Sequence, residues 1–209
     1  VACFDGGNFL LGGIVLNEQK YIDFGLALVT ACEATYASTL TLIGPEGFGW
    51  SVNGTEGVPA DQIEFYKKAG FYITSSAYIL RPEVLESFYY AYRVTGDQKY
   101  REWAWNGYLA INKTTRAGSG YAEILNVNTE GGGAFYDVQD SFFLAEVLKY
   151  AYLIHSPVSA FQCKYFVEDT NLDRMGNGRS IIEETTSGFS ILRHIHSRLL
   201  ARQSENGFK

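Results

Sequence analysis

The stretch YILRPEVLESFYYAYRVTGD, residues 78–97, decides how the chain is read. Pro82 suits the first position of a helix, because it has no N–H to leave unpaired there. Leu85, Phe88, Tyr89 and Tyr92 follow at helical spacing and mark one apolar face. Tyr90 and Ala91 leave little plainly solvated surface beside it, yet Glu83 and Glu86 stand in the first turn. In most helices such acids simply meet the positive end of the helix dipole. Here Arg81 adds a fixed positive charge beside them. A helix mouth with one arginine and two carboxylates, ringed by aromatics, suits a catalytic base or the outer shell of a metal.

Outward from this helix the chain repeats itself. Residues 17–36 and 96–115 both open on a polar cap and a Gln-Lys-Tyr, then run as amphipathic helices. Their apolar stripes are Tyr21, Phe24 and Leu28 in one, and Tyr100, Trp103 and Gly107 in the other. Each follows another helix-like run, residues 9–16 and 82–95, and residues 138–155 open a third unit. Repeated helix–turn–helix units predict an all-α solenoid or a closed α/α barrel. The connections over residues 40–79 and 116–137 are long, with short strand-like alternation, and long loops on a helical scaffold tend to carry function.

Two more acids sit among apolar neighbours. Glu46 follows Gly44-Pro45 in a loop, and Glu146 lies inside the run from Phe142 to Leu148. An acid in such a run faces a solvated stripe or is buried with a partner. Four acids in comparable surroundings point to one shared polar pocket.

The bulk numbers narrow the function classes. A formal charge of -6 argues against a nucleic-acid or anionic-membrane surface. Aromatics make up 15% of the chain; such rings build cores, and they also line sugar clefts, because a pyranose face is apolar while its rim is hydroxylated. No stretch is long and apolar enough to span a bilayer. Asn53-Gly54-Thr55 and Asn112-Lys113-Thr114 are acceptor sequons for N-glycosylation. Of Cys3, Cys32 and Cys163, a Cys3–Cys32 bridge with Cys163 left over is one arrangement, which spacing alone does not single out. No CxxC or Cys/His cluster points to zinc. Val1 leads straight into ACFDGGNFLLGG, so the chain reads as the interior of something longer. After His155 the character changes: five of 32 aromatics lie there, along with His194 and His196. Residues 1–155 are therefore read as one unit and 156–209 as a divergent, poorly packed tail, with helical spacing at Ile191, Ile195 and Leu199.

ACFDGGNFLLGG, CEATYASTLTLIGPEGFGW, YILRPEVLESFYYAYRVTGDQKYREWAW and DSFFLAEVLKYAYLIH are spread across residues 1–155. Together they resemble the class I α-1,2-mannosidases of glycoside hydrolase family 47, most closely the fungal members. The resemblance implies an all-α fold, a partial α/α barrel made of the C-terminal hairpins of a seven-hairpin toroid, with short β-hairpin loops. It implies calcium-dependent, inverting removal of terminal α-1,2-mannose from high-mannose N-glycans, in the secretory pathway, by a monomeric enzyme. Glu83 matches the general base acting on the attacking water, and Arg81 and Glu86 its pocket partners. Glu46 and Glu146 match acids that shape the sugar and calcium site, Phe142 the aromatic under the terminal mannose, and Cys3 and Cys32 a disulfide. The family's general acid and another catalytic carboxylate fall upstream of Val1. Its calcium-binding Asn-Thr-Glu-Ala-His-Pro motif has no counterpart here; Asn128-Thr129-Glu130 precedes the wrong helix, and Thr170 is the candidate that stands about where the motif should. The expectation is a mannosidase-derived chain that is inactive by itself. The alternatives are a mannosidase-like lectin for high-mannose glycans and a helical scaffold with no shared acidic pocket.

Overall fold

The computed structural model describes residues 2–157. Thr170, the tail beyond and its helical spacing at residues 190–202 lie outside the described residues.

Helix α1 (Phe4–Leu16) and helix α2 (Gln19–Ala37) form the first hairpin. The run at residues 9–16 begins earlier than its apolar residues announce, because Gly6 and Gly7 are inside the helix. Glycine weakens a helix interior, but these two let neighbouring helices close in. A Cβ on Gly6 would stand 2.9 Å from Val29 Cγ2, and one on Gly7 would stand 2.7 Å from a Tyr90 ring carbon. In α2 the buried face is Ile22, Gly25, Val29, Cys32 and Tyr36, one position on from the stripe of Tyr21, Phe24 and Leu28. Gly25 is the reason: a Cβ there would lie 2.9 Å from Leu10 Cγ, so α1 approaches along the glycine rather than along the aromatics. Tyr21 and Phe24 pack on Phe9 instead, and Phe24 stays 50% exposed.

Strand β1 (Gly47–Gly49) pairs antiparallel with β2 (Tyr72–Ser75). Between them lie a 3-10 turn (Ala60–Gln62) and a short helix, α3 (Ile63–Ala69), where the sequence shows strand-like alternation. Lys67 and Lys68 suit the negative end of α3, and Gly70 closes it with φ 82°.

The second hairpin is α4 (Glu83–Thr95) and α5 (Lys99–Thr114). Here sequence and structure agree on the element, and in α5 Tyr100 and Gly107 are buried as the stripe predicts. Helix α4 is the central element of the described residues: it packs on α1, α2, α5 and a later helix, α6 (Leu148–His155). Its burial therefore extends beyond one face, to Val84, Leu85, Glu86, Ser87, Phe88 and Ala91. Ser87 also completes α1. The N–H of Gly7, among the first four that a helix leaves unpaired, donates to Ser87 Oγ at 3.0 Å, and the hydroxyl donates to the Cys3 carbonyl at 2.5 Å.

Two short antiparallel pairs follow: β3 (Arg116–Ala117) with β4 (Gly120–Tyr121), and β5 (Glu123–Ile124) with β6 (Phe135–Tyr136). The last unit is a π-helical turn (Phe143–Val147) running into α6. A disulfide joins Cys3 at the start of α1 to Cys32 in α2, with Cα atoms 5.8 Å apart, as the resemblance implies. The described residues are thus mostly helical with three short antiparallel strand pairs. None of their helices is long and apolar enough to cross a membrane.

Candidate active site

The site starts from a strained residue. Leu80 is fully buried with φ 62°, in the left-handed region that an L side chain occupies at a cost of roughly 1–2 kcal/mol. Tyr78 holds it there. Its backbone exchanges hydrogen bonds of 3.0 and 3.1 Å with Ile124, and its hydroxyl donates to the Arg81 carbonyl at 3.1 Å. Tyr36 lies beside it in the same cleft wall. Both phenols are pushed up, first by burial and then by the negative charge of Glu83 among other neighbours, so they stay protonated.

Arg81, so presented, forks onto Glu46. Its Nε donates to both carboxylate oxygens at 2.8 Å, and Nη2 reaches Oε1 at 2.7 Å. This bonding raises the guanidinium above its ordinary range. The Glu46 backbone is held as well, its N–H donating to the Ala77 carbonyl at 2.7 Å. Arg81 Nη1 lies 3.8 Å from Glu83 Oε1. The other oxygen, Glu83 Oε2, is buried and has no hydrogen-bond partner among the described residues. These three side chains line a cleft whose remaining wall includes Tyr36, Pro45, Phe48, Trp50 and Tyr78. Apolar rings at the side and fixed charges at the base are what a sugar ring needs.

Glu86 lies one turn along α4, away from the cleft wall. It is buried and accepts a 2.5 Å hydrogen bond from the Tyr150 hydroxyl. Burial raises its pKa, while Tyr150 and the Lys149 charge oppose the rise and Glu146 and Glu83 add to it. Burial lowers Lys149, against the pull of Glu146 and Glu86. Glu86 and Glu146 therefore share one electrostatic environment, linked to the cleft through Glu83. Phe142 stands at the head of the π-helical turn, partly buried against the core, and does not line the cleft.

The residues that sequence reasoning passes over are Tyr36, Tyr78, Tyr150, Glu123 and Asp140. Glu123 is buried, and burial first, with the acids Asp140 and Glu46 nearby, holds its carboxyl above its ordinary range. Its signal was an acid within the strand-like GYAEIL; the tyrosines had none that set them apart from the other rings. Among the described residues no group of three or more His, Cys, Asp or Glu side chains could hold a metal ion.

Comparison with known proteins extends the picture. The model of glycosyl hydrolase family 47 matches residues 1–172. Over 156 residues the chain is 66% identical to a probable mannosyl-oligosaccharide alpha-1,2-mannosidase 1B of Aspergillus clavatus, covering 75% of this chain and 30% of that protein. Over 162 residues it is 60% identical to the mannosyl-oligosaccharide alpha-1,2-mannosidase of Penicillium citrinum, covering 78% and 31%. The solved structure of an alpha-1,2-mannosidase from Trichoderma reesei superposes with a TM-score of 0.71 at 55% identity, over 74% of this chain and 32% of that one. The chain thus spans under a third of the length of these relatives.

Proposed function

The chain belongs to glycosyl hydrolase family 47, and from that premise we propose that its hairpins are part of an α/α barrel whose activity is inverting hydrolysis of terminal α-1,2-linked mannose. The substrate class is the high-mannose N-glycan, and the setting is the secretory pathway. One observation carries the reading: Glu83 Oε2 is buried, without a hydrogen-bond partner among the described residues, on a cleft wall beside Arg81.

A carboxylate oxygen kept free in this way is suited to accept the proton of a water attacking the anomeric carbon. Arg81 turns Nε and Nη2 to Glu46, and its Nη1 faces the other oxygen of Glu83, Oε1, at 3.8 Å. Inversion needs a second carboxyl on the far side of the sugar, separated from the base by room for that water. Glu46 is occupied and Glu86 is turned to Tyr150, so neither described acid supplies it. The isolated chain is therefore proposed to be inactive. Calcium enters as a requirement of the whole enzyme. The ion takes six or more oxygen ligands, and the described residues offer no group of side chains able to hold it, so no step here runs through it.

A lectin that binds high-mannose glycans without cleaving them is the second reading, favoured by the same shortage of a second free carboxyl. The experiment is an assay of the purified chain on α-1,2-mannobiose with calcium, beside a full-length relative. The chain is expected to release no mannose, while the full-length enzyme carrying the Glu83→Gln change loses about 10²–10⁴-fold in kcat. Turnover by the chain that both chelator and Glu83→Gln abolish would overturn the proposal. Binding on a glycan array without release would favour the lectin.

A further inference from the structure

The loop that leaves β1 carries the Asn53-Gly54-Thr55 sequon, for which the proposed chemistry has no use. The stem of this loop is fixed. The Ser51 N–H donates to the Tyr66 hydroxyl at 3.2 Å, and that hydroxyl donates to the Ser51 carbonyl at 3.1 Å. Beyond Ser51 the chain turns back on itself. The Glu56 N–H donates to the Asn53 carbonyl at 3.2 Å, and the Val58 N–H donates to the Thr55 carbonyl at 3.2 Å. Gly54 makes the turn with φ 64°, where a side chain would be strained. Residues 52–57 are all exposed.

The Asn53 amide is within reach of solvent. Its Nδ2 donates to Glu56 Oε2 at 3.1 Å in an exposed bond. An amide nitrogen carries two N–H groups. A sugar on Nδ2 replaces one and leaves the other for Glu56, so the turn keeps its shape. Asn112, in the second sequon, is set differently: it is half-buried within α5, and its Oδ1 accepts the Tyr121 hydroxyl at 2.7 Å. The loop of Asn53 also holds apolar side chains that stay wet. Val52 is 88% exposed, and Trp50, on the wall of the cleft, is 65% exposed. A sugar packs on such a surface through the apolar face of its ring.

We infer that Asn53 is an N-glycan acceptor, and that the first sugars of its glycan cover Val52 and Trp50 at the edge of the cleft. The donor is an oligosaccharide carried on a lipid diphosphate. Asn53 Nδ2 bonds to the anomeric carbon, the bond from that carbon to the diphosphate oxygen breaks, and the proton given up by Nδ2 balances the released diphosphate. That the modification occurs in nature rests on the secretory setting proposed above; the fit of the site does not.

The test makes the full chain behind a secretion leader in a eukaryotic host. The peptides carrying Asn53 and Asn112 are read separately by mass spectrometry, before and after a peptide-N-glycosidase. The Asn53 peptide is expected to carry a glycan, to lose it in Thr55→Ala and to keep it in Thr55→Ser, whatever Asn112 carries. A closed Cys3–Cys32 disulfide shows that the chain met an oxidising compartment; a bare Asn53 peptide in such a chain would overturn the acceptor site. The second readout is quenching of tryptophan fluorescence by acrylamide. The glycosylated chain is expected to be quenched less than Thr55→Ala, and Trp50→Phe to erase that difference. Equal quenching, or a difference that survives Trp50→Phe, would overturn the cover over Trp50. A glycan on Asn53 in this host, with Asn53 bare in the chain recovered from the cells that naturally make it, would uphold the site and overturn the secretory setting.

Discussion

The carboxylates of α4 sit three residues apart and meet opposite fates. Glu83 opens onto the cleft with one oxygen unpartnered among the described residues, whereas Glu86 turns inward to Tyr150. The Tyr150 bond opposes the rise that burial imposes on Glu86. Removing it in Tyr150→Phe leaves a buried carboxylate with one acceptor unmet, at a cost of roughly 1.5–3 kcal/mol while Glu86 is ionised. The sign of the pH dependence follows. A carboxyl whose folded pKa lies above its unfolded value contributes stability that is fully present below the unfolded value and is lost as pH rises through the folded one. Tyr150→Phe should raise the folded value further, so its deficit against wild type grows from acid to neutral pH. Unfolding midpoints measured over that range check this; a deficit independent of pH would mean that Glu86 does not titrate with the tyrosine.

At the scale of elements, the α1–α2 and α1–α4 crossings depend on glycine. A Cβ on Gly25 would meet not only Leu10 Cγ but also the Gly6 carbonyl and the Leu10 amide, both at 3.0 Å. Backbone cannot step aside as a side chain can, so Gly25→Ala must part the two helices. The expected cost is about 1–3 kcal/mol of overpacking, set against about 1 kcal/mol of gained helix propensity. Gly12 is the control, in the facing helix α1 with nothing within 4 Å of its added Cβ. Gly12→Ala should stabilise by roughly 0.5–1 kcal/mol. Equilibrium unfolding of the two variants reads opposite signs if the close approach is real, and the same sign if glycine there is only a weak helix former.

For the whole molecule, the disulfide closes a loop with a sequence separation of 29. Breaking it frees the unfolded chain, and for a loop of that size the loss is about 3–4 kcal/mol. Reduced protein and a Cys3→Ala/Cys32→Ala variant should therefore unfold at similarly lowered denaturant midpoints. A variant as stable as the oxidised chain would show that packing alone holds α1 on α2. Exposed rings work against the same stability. Phe4, Phe24 and Trp105 are each about half exposed on their helices, and burying such a side chain is worth roughly 1.5–3 kcal/mol. Since the chain spans under a third of its relatives' length, light scattering of the isolated chain is expected to report association that rises with concentration.

Much of this protein could be read before folding. Periodicity and end signals marked α4 and α5, the Gln-Lys-Tyr repeat marked the hairpins, and the Arg-Pro-Glu motif marked the family, because helical pattern and short motifs are local properties of a chain. Glu46, Arg81 and Glu83 were also legible as candidates, by their odd surroundings. What no local pattern could decide was partnership. Glu46 reaches Arg81 across 35 residues, Tyr150 reaches Glu86 across 64, and Ser87 caps α1 across 80. The buried face of α2 and the early start of α1 were hidden for a related reason: glycines carry no hydrophobic signal, yet they set where two helices touch. Sequence supplied the elements and the reactive groups. Tertiary structure decided which oxygen is bonded and which is left open, because those outcomes depend on distances that only packing creates.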